Sequence, residues 1–570
     1  MNKKDIIRLL ETIAIYMELK GENSFKISAY RKAALALEND DRSLSDISDF
    51  TGLSGIGKGT AGVIEEFVKE GFSSVLEELK SEVPEGLIPL LQLPGLGGKK
   101  IAKLYSELGV EGIEDLEEAC QSGKVQDLPG FGKKTEEKIL AAIAQAGQRP
   151  DRLPLAFMTG LAEEIEAHLT NCKEILNFSR AGSLRRMRET IKDLDFIIST
   201  EEPKKVKDEL LKLPQIVETI AAGETKVSLT LQYKWAVSID FRIVKPHEFA
   251  TTLHHFTGSK EHNVRMRQLA KERGEKISEY GVENSESGEI KTFDSEEGFY
   301  AHFNLPFIPP ELREDGKEVD DYHKDFDLIG SSHIQGDLHM HTTWSDGAYS
   351  IEEMVQACIA KGYRYMAITD HSKYLRVANG LSDERLLKQI EEIKEMNKKY
   401  KEIEILSGIE MDILPDGSLD YDDEILEKLD IVIASIHSSF SQPREKIMKR
   451  LTTALTSAHV DIIAHPTGRI IGRRDGYDVD MDLLIQLAKE TNTALELNAN
   501  PNRLDLSAEN IRKAQEHGVK LFINTDAHSH EHLEFMNIGV STARKGWIKK
   551  DTVINTWGKK ELLNFLNRNK

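Results

Sequence analysis

The chain has 570 residues, which is too long for a single compact core, so several domains are expected. Its formal net charge is −21, and none of the segments 1–150, 151–315 and 316–570 is basic overall, so any phosphate binding must rely on local backbone and Lys/Arg sites. The chain lacks an apolar run of about 18 residues, and its N-terminal helix pattern is interrupted by charges, which excludes a membrane span and a secretory signal. Three scattered cysteines give no disulfide framework, so the protein is expected in the cytoplasm. The acidic composition, taken alone, favours a soluble enzyme that acts on small metabolites.

A glycine motif recurs three times within residues 1–150, each time before a helical pattern. Each copy has an apolar residue and a turn residue, then Gly-apolar-Gly with lysine close behind. The glycines let a phosphate approach the backbone, and the following helix start offers free N–H groups. The motif residues are Gly55, Gly57, Lys58, Gly95, Gly97, Lys99, Gly130, Gly132 and Lys133. This helix-hairpin-helix pattern predicts binding to the DNA backbone, although any one copy could be a structural helix corner.

Three aspartates follow on two alternating, strand-like segments. Asp193 and Asp195 lie two apart, so both face one side of their strand, and Asp240 occupies the second segment. Three convergent carboxylates suit Mg²⁺, and two such ions can activate an attacking oxygen and stabilise a leaving pyrophosphate. An Asp-x-Asp pair alone often faces solvent. Preceded by Gly182, Ser183 and an arginine cluster, it indicates a nucleotidyltransferase.

Residues 1–315 resemble the family X DNA polymerases. The resemblance is carried by the motifs above and by Tyr30-Arg31-Lys32, Gly223-Glu-Thr-Lys226 and Phe256-Thr257-Gly258-Ser259. It implies that Asp193, Asp195 and Asp240 are catalytic metal-binding carboxylates, with Asp240 as the base for the primer 3′-hydroxyl, and that Lys226 lies near the DNA backbone. The residues implied in binding the incoming nucleotide are Arg152, Ser183, Arg186, Phe256, Gly258, Asn263 and Arg267.

The chain departs from the family pattern at two positions. Val63 occupies the place where lyase members carry a Schiff-base lysine, so we expect no strong deoxyribose-phosphate lyase activity. His255 precedes Phe256 where a tyrosine is usual, which leaves discrimination between ribose and deoxyribose open.

From residue 333 onward, strand-like apolar runs alternate with helical stretches, and most of these runs end in a histidine or a carboxylate. In a β/α barrel the carboxyl ends of the strands meet at one end, where active sites form. A lone histidine there is more often structural, but so many together indicate a metal centre. The candidate ligands are His339, His341, Asp346, His371, Glu410, His437, His465, Asp526 and His528. At about three or four ligands per ion, the set suits about three ions.

The segment 333–570 resembles the PHP (polymerase and histidinol phosphatase) domain. The resemblance implies three ion sites, formed by His339, His341, Glu410 and Asp526, by Glu410, His437 and His465, and by Asp346, His371 and His528. It also implies hydrolysis of a phosphoester by metal-activated hydroxide, with His339 and His341 as catalytic residues. The mixed nitrogen and oxygen ligands admit Zn²⁺, Mn²⁺ or Fe²⁺. Arg376, Arg469 and Arg503 are candidates for phosphate contacts or ordinary surface residues.

A multidomain fold is therefore expected. It comprises all-α helix-hairpin-helix domains (1–80 and 81–150), an α+β nucleotidyltransferase palm (151–247), a thumb (248–315), a linker (316–332) and a distorted β/α barrel (333–570). The expected function is gap-filling DNA synthesis in base excision repair, with 3′-5′ exonuclease activity and incision at abasic sites. The expected partners are gapped or primer-template DNA and deoxynucleoside triphosphates, bound by a monomer at the nucleoid. Two alternatives are a barrel that acts as a small-molecule phosphatase and a non-enzymatic DNA-bridging protein; the intact ligand sets argue against the latter.

Overall fold

A computed structural model describes residues 3–38, 40, 42, 44, 47–91, 93, 96–146 and 150–568. The chain forms two compact units. The first unit contains residues 1–149, 341–354 and 375–389, and the second contains residues 150–340, 355–374 and 390–570. Among the described residues, no helix has both the length and the apolar character needed to cross a membrane.

The N-terminal part of the first unit is entirely helical. Its helices are α1 (Lys3–Lys20), α2 (Ser24–Glu38), α3 (Lys58–Glu70), α4 (Ser74–Glu82), α5 (Leu87–Leu90), α6 (Gly98–Leu108), α7 (Ile113–Gln121) and α8 (Lys133–Ala146). In α1, the buried residues Ile6, Leu10, Ile13 and Met17 recur every three or four positions and form one apolar face. Helices with such faces pack into small clusters, so this part of the chain is the all-α region that the sequence predicts.

The palm is a five-stranded sheet in the second unit. Its elements are β1 (Leu153–Pro154), α9 (Leu155–Thr170), β2 (Asn177–Arg180), α10 (Gly182–Arg185), β3 (Thr190–Ile191), β4 (Leu194–Ser199), α11 (Pro203–Leu210), β5 (Ile216–Ala222), β6 (Lys226–Gln232) and β7 (Ala236–Val244). The sheet order is β2-β4-β7-β6-β5. Alternate residues of β7, such as Ile239 and Phe241, are buried, which leaves Asp240 on the opposite face. The parallel pairing of β4 with β7 sets Asp195 directly opposite Asp240.

The thumb follows as helices around a small sheet. Its elements are α12 (Phe249–Thr257), α13 (Lys260–Glu272), β8 (Glu275–Ile277), β9 (Val282–Asn284), β10 (Ile290–Lys291), α14 (Glu296–His302) and α15 (Glu318–Asp321). The core of the thumb includes Phe299 and Tyr300 together with Val319 and Leu328. The segment expected to be only a linker, residues 316–332, thus contributes side chains to the thumb core, because apolar residues lie between its charged ones.

The C-terminal part forms a nearly closed parallel barrel. Its elements are β11 (Gly336–Asp337), α16 (Ile351–Ala360), β12 (Tyr365–Ile368), α17 (Asp383–Lys399), β13 (Glu404–Asp412), α18 (Asp423–Leu426), β14 (Ile431–Ser435), α19 (Arg444–Thr456), β15 (Ile462–Ile463), α20 (Met481–Thr491), β16 (Ala494–Asn498), α21 (Ala508–Glu516), β17 (Leu521–Asn524), α22 (Phe535–Lys545) and α23 (Lys559–Leu566). Seven strands pair in chain order from β11 to β17. A parallel bridge between Met340 and Ala527 brings together the ends of the first and last strands.

Candidate active sites

The glycine motifs lie at helix starts in the first unit. Gly57 caps α3 and Gly97 caps α6, while the carbonyl of Gly132 accepts the first backbone hydrogen bonds of α8. Gly55 and Gly130 have φ angles of 109° and 91°, a region that favours glycine. The motif lysines are all solvent-exposed: Lys58, Lys99 and Lys133. Each motif thus presents a helix N-terminus with a lysine beside it, while Gly95 lies outside the described residues.

Asp195 and Asp240 lie side by side on the face of the palm sheet that is opposite Phe196 and Phe241. Asp240 Oδ1 accepts a hydrogen bond from Ser228 Oγ at 2.6 Å, and Lys226 Nζ lies 2.9 Å from Asp240 Oδ2. Gly182 packs so tightly that a Cβ atom there would lie 2.2 Å from Asp195 Oδ2. The predicted motif Gly182-Ser183 therefore brings the start of α10 against the carboxylate of Asp195.

The palm carboxylates repel one another. Burial, together with the charges of Asp193 and Asp240, raises the pKa of Asp195 to about 7. Burial would also raise the pKa of Asp240, but hydrogen bonds from Ser228 and Lys226 lower it below its usual value. A bound cation would relieve the repulsion between these carboxylates. Carboxylate oxygens are also the ligands that Mg²⁺ prefers.

Part of the predicted nucleotide site is assembled around Arg186. Its guanidinium donates to the carbonyl of Thr257, and a Cβ on Gly258 would lie 3.1 Å from Arg186 Nη1. The guanidinium of Arg242 lies 4.6 Å from the centre of the Phe256 ring, and Asn263 Nδ2 donates to the carbonyl of His255 at 2.8 Å.

The other three residues predicted to bind the nucleotide are Ser183, Arg267 and Arg152. Ser183 is half-buried on α10, and Arg267 is exposed on α13. Arg152 donates to Thr190 Oγ1 at 3.1 Å. The described contacts thus join Arg186 to the loop at Gly258 and tie Arg152 to β3. The nucleotide-binding roles of these residues stay predictions.

Glu410, on β13, lies among imidazoles at the centre of the barrel. One of its carboxylate oxygens lies 2.8 Å from His465 Nε2 and 3.2 Å from His437 Nε2. The other lies 2.9 Å from His371 Nδ1 and 3.4 Å from His339 Nε2. The ligand atoms of His371, Glu410 and His437 lie within 4.8 Å of one another. One carboxylate thus contacts four predicted histidine ligands.

The remaining ligands of the second unit lie next to this group. Asp526 Oδ1 lies 3.4 Å from His339 Nε2 and 3.7 Å from His528 Nδ1. The ligand atoms of His339, Glu410 and Asp526 lie within 4.8 Å of one another. In the first unit, His341 Nδ1 lies 3.9 Å from Asp346 Oδ1. All nine predicted ligands thus have another predicted ligand close by.

The electrostatics of this centre favour cations. Burial alone would raise the pKa of Glu410, but the imidazoles of His437, His371 and His339 lower it well below its usual value. Burial would lower the pKa of His437, but Glu410 and Asp412 raise it to about 10. A buried set of imidazole nitrogens and carboxylate oxygens that attracts positive charge fits Zn²⁺, Mn²⁺ or Fe²⁺.

Several residues that contact the predicted metal ligands through hydrogen bonds or ion pairs were not predicted from the sequence. Glu496, on β16, accepts a hydrogen bond from His339 Nδ1 at 2.7 Å, and its other oxygen accepts from the His465 backbone at 2.8 Å. Asn498 Nδ2 donates to Asp526 Oδ2 at 3.1 Å, and Asp412 lies 3.3 Å from His437 Nδ1. Glu496 and Asn498 could have been found from the sequence, because the otherwise apolar strand pattern Ala494–Asn498 contains a glutamate and ends in an asparagine.

The arginines considered for phosphate binding differ in their surroundings. Arg469 makes two hydrogen bonds to Glu189 of the palm, at 2.7 and 3.1 Å. Arg503 Nε lies 3.8 Å from Asp526 Oδ2, beside the predicted ligands. Arg376 is exposed on a short 3₁₀ turn. Arg503 thus lies next to a candidate ligand, whereas Arg469 connects the palm and the barrel.

Comparisons with known proteins match this architecture. A helix-hairpin-helix domain model matches residues 1–72, a SAM-like helix-hairpin-helix tandem matches 87–145, a DNA polymerase beta thumb matches 252–314, and a PHP domain matches 337–500. The fold class expected from the sequence is thereby confirmed.

The chain is similar to a polymerase over its whole length and to shorter phosphatases over part of it. DNA polymerase/3'-5' exonuclease PolX of Bacillus subtilis (strain 168) is 64% identical over 569 residues, covering 100% of both chains. A probable phosphatase of Thermoanaerobacter sp. (strain X514) is 32% identical over 231 residues, 39% of this chain and 89% of that protein. A probable phosphatase of Shewanella sp. (strain ANA-3) is 28% identical over 242 residues, 41% of this chain and 91% of that protein. The chain therefore belongs to the bacterial-type family X DNA polymerases (PolX) that carry a C-terminal PHP domain.

Proposed function

We propose that this chain is a template-directed DNA polymerase that fills short gaps during base excision repair. Its PHP barrel removes nucleotides from DNA 3′ ends and incises DNA at abasic sites. One observation carries the proposal: a single chain holds two separate carboxylate centres, around Asp195 and Asp240 in the palm and around Glu410 in the barrel. The relative from Bacillus subtilis, which is similar over its whole length, has both a polymerase and an exonuclease in its name.

In the palm, Asp193, Asp195 and Asp240 would hold Mg²⁺. Bound Mg²⁺ supplies positive charge that stabilises the triphosphate oxygens during transfer. Asp240 would accept the proton of the primer 3′-hydroxyl on a carboxylate oxygen, and the hydrogen bond from Ser228 orients that carboxylate. Arg186, held by the Thr257 carbonyl, would bind the phosphates of the incoming nucleotide.

In the barrel, the nine histidines and carboxylates would hold about three ions, Mn²⁺ or Zn²⁺ or both. Bound ions supply Lewis acidity toward the oxygens of a phosphodiester. Glu496 fixes the orientation of His339, and Asp412 does the same for His437. Arg503, beside Asp526, would bind a phosphate oxygen of the substrate.

The substrates would be gapped or primer-template DNA and deoxynucleoside triphosphates. The three hairpins would bind the DNA backbone through helix N-termini and through exposed Lys58, Lys99 and Lys133. This binding does not require a basic domain, because each contact is local. We propose that the protein acts as a monomer, in the cytoplasm at the nucleoid.

One alternative for the barrel has support of its own. The probable phosphatases from Thermoanaerobacter and Shewanella match 39% and 41% of this chain over 89% and 91% of their own length, so a small phosphomonoester is a second candidate substrate for the barrel. Release of nucleotide from 3′-labelled DNA, compared with release of phosphate from histidinol phosphate, distinguishes the two. Faster turnover of histidinol phosphate would reject the nuclease assignment.

The two-site proposal is tested with two double variants on 5′-labelled gapped DNA in Mg²⁺ and in Mn²⁺. Asp193→Ala with Asp195→Ala should abolish extension and leave 3′ trimming intact. His339→Ala with His341→Ala should do the reverse. Loss of both activities in either folded variant would contradict separate sites.

A further inference from the structure

A stack of aromatic and guanidinium groups lies beside the barrel centre. The rings of Phe440 and Tyr477 are stacked, with centroids 6.0 Å apart and planes 13° apart. The guanidinium carbon of Arg474 lies over the Phe440 ring, 4.0 Å from its centre. Phe440 and Arg474 are only partly buried, whereas Tyr477 is buried beneath them. Part of this stack is therefore accessible from solvent.

The stack is carried by the same loops that carry metal-ligand candidates. Phe440 follows His437 by three residues after β14, and Arg474 belongs to the loop that begins at His465 after β15. Both loops leave the carboxyl ends of parallel strands, the end of the barrel where the ligands gather. The stack thus lies on the edge of the proposed nuclease site.

The backbone holds the second loop in one shape. Ile470 and Arg474 pair through two backbone hydrogen bonds of 2.8 Å each. Arg474 Nε also donates to the carbonyl of Gly468 at 3.0 Å. Gly468 has a φ of 61°, and a Cβ there would lie 2.6 Å from the Tyr477 ring. The position of the Arg474 side chain is therefore fixed before any ligand arrives.

A second arginine, Arg503, lies between the stack and the predicted metal ligand Asp526. Burial and the nearby charge of Arg503 lower the pKa of Arg474, so the two guanidinium groups repel each other. Arg503 Nε lies 3.8 Å from Asp526 Oδ2. Among the described residues, no carboxylate lies within 4.0 Å of Arg474. Asp526 balances part of the charge of Arg503, whereas Arg474 adds a second positive charge next to it, and the two together favour an anionic ligand.

We propose that Arg474 and Phe440 form a subsite for an unpaired base next to the scissile phosphodiester of single-stranded DNA. The base stacks on the guanidinium plane of Arg474, which Phe440 supports from its other side, while Arg503 contacts the adjoining phosphate. Bases of single-stranded nucleic acids bind aromatic rings and arginine planes in this way, with little dependence on sequence. The inference rests on the proposed 3′-5′ exonuclease function and adds the feature that lets the barrel select unpaired ends.

The test compares four full-length proteins: wild type, Arg474→Ala, Arg474→Lys and Arg473→Ala. Arg473 is an exposed arginine on the same loop, so Arg473→Ala removes one positive charge without touching the stack. The substrates are single-stranded oligonucleotides that end in normal nucleotides or carry a tetrahydrofuran, which lacks a base, at the last or next-to-last position. KM and kcat are measured for each combination of protein and substrate, and metal content and melting temperature show whether each variant is folded.

We expect Arg474→Ala to raise KM for the normal strand roughly tenfold while leaving kcat within about twofold. The tetrahydrofuran at one of the two positions should raise KM for wild type and Arg473→Ala but not for Arg474→Ala, which identifies the base that stacks. Arg474→Lys keeps the charge without the plane, so it should behave like Arg474→Ala. If Arg474→Ala does not fold, Arg474→Lys tests the same prediction.

An equal effect of Arg474→Ala on strands with and without the base would overturn the stacking subsite, as would no effect at all. If the wild type does not shorten DNA from its 3′ end, the proposed exonuclease function itself fails, and this inference fails with it. The two failures are distinguished by the wild-type reaction alone.

Discussion

Lys226 Nζ lies 2.9 Å from Asp240 Oδ2, so the lysine that is predicted to lie near the DNA backbone forms an ion pair with a proposed catalytic carboxylate. The pairing follows from the sheet, in which Ser228 of β6 is the register partner of Asp240 on β7. A metal ion bound by Asp240, as proposed, would therefore compete with Lys226 for the same oxygen. Its contact with the DNA backbone stays a prediction.

Replacing Lys226 by Met should strengthen Mg²⁺ binding at the palm by roughly threefold to tenfold, because about 1 kcal/mol of charge repulsion is removed. Calorimetric titration of Mg²⁺ into the His339→Ala/His341→Ala protein measures this. Lys234→Met, at an exposed position between β6 and β7, is the matched control. If Lys226 also contacts a phosphate, the salt dependence of DNA binding should fall by about one unit of slope. Unchanged Mg²⁺ affinity would refute the competition.

Glu496→Gln should weaken metal binding in the barrel by roughly 10–100-fold, because Glu496 accepts the Nδ1 hydrogen bond of His339 and thereby orients the ring and makes its other nitrogen a stronger metal ligand. Metal content after dialysis, determined by mass spectrometry, and the Mn²⁺ dependence of 3′ trimming report the loss. Primer extension should stay at the wild-type rate. Glu427→Gln, on an exposed part of the barrel, supplies the control. Full metal retention by Glu496→Gln would show that this hydrogen bond does not matter.

Arg469→Ala should destabilise the contact between palm and barrel by about 1–3 kcal/mol, since two charged hydrogen bonds to Glu189 are lost. Urea unfolding of Arg469→Ala, Glu189→Ala and the double variant gives the coupling free energy. A coupling free energy below about 0.5 kcal/mol would show that Arg469 and Glu189 contribute to stability independently of each other. Arg469 Nε also donates to the Arg503 carbonyl at 3.0 Å, so KM for 3′ trimming should rise in Arg469→Ala.

Glu318→Gln should stabilise the protein at pH 8 and change little at pH 5. Glu318 is buried against His262 Nδ1 at 2.6 Å, and burial raises its pKa to about 7. Between its ordinary pKa and about 7 the folded state binds more protons than the unfolded state, so stability falls as pH rises through this range. The neutral amide removes that loss.

Melting temperatures at the two pH values test this prediction, with an expected gain of roughly 2–6 °C at pH 8. Glu289→Gln, at an exposed position of the thumb, is the control for the loss of a carboxylate. An equal change at both pH values would indicate that packing, and not ionisation, is altered.

Elements whose residue pattern is local could be predicted from the sequence alone. The glycine motifs predicted helix starts, and Gly57 and Gly97 do cap helices. Alternation of apolar residues around Asp240 predicted a strand with its carboxylate outward, and β7 has that pattern. Such features follow from periodicity and backbone conformation, which neighbouring residues fix.

Contacts between groups that are distant in the sequence could not be predicted and became visible in the folded chain. His339 lies 157 residues before Glu496, yet the parallel strands of the barrel bring the two within 2.7 Å. The contact of Arg469 with Glu189 spans 280 residues. No local pattern encodes such pairs, because a buried polar side chain is identified by the partner that satisfies it, and that partner is set by how the strands and domains pack.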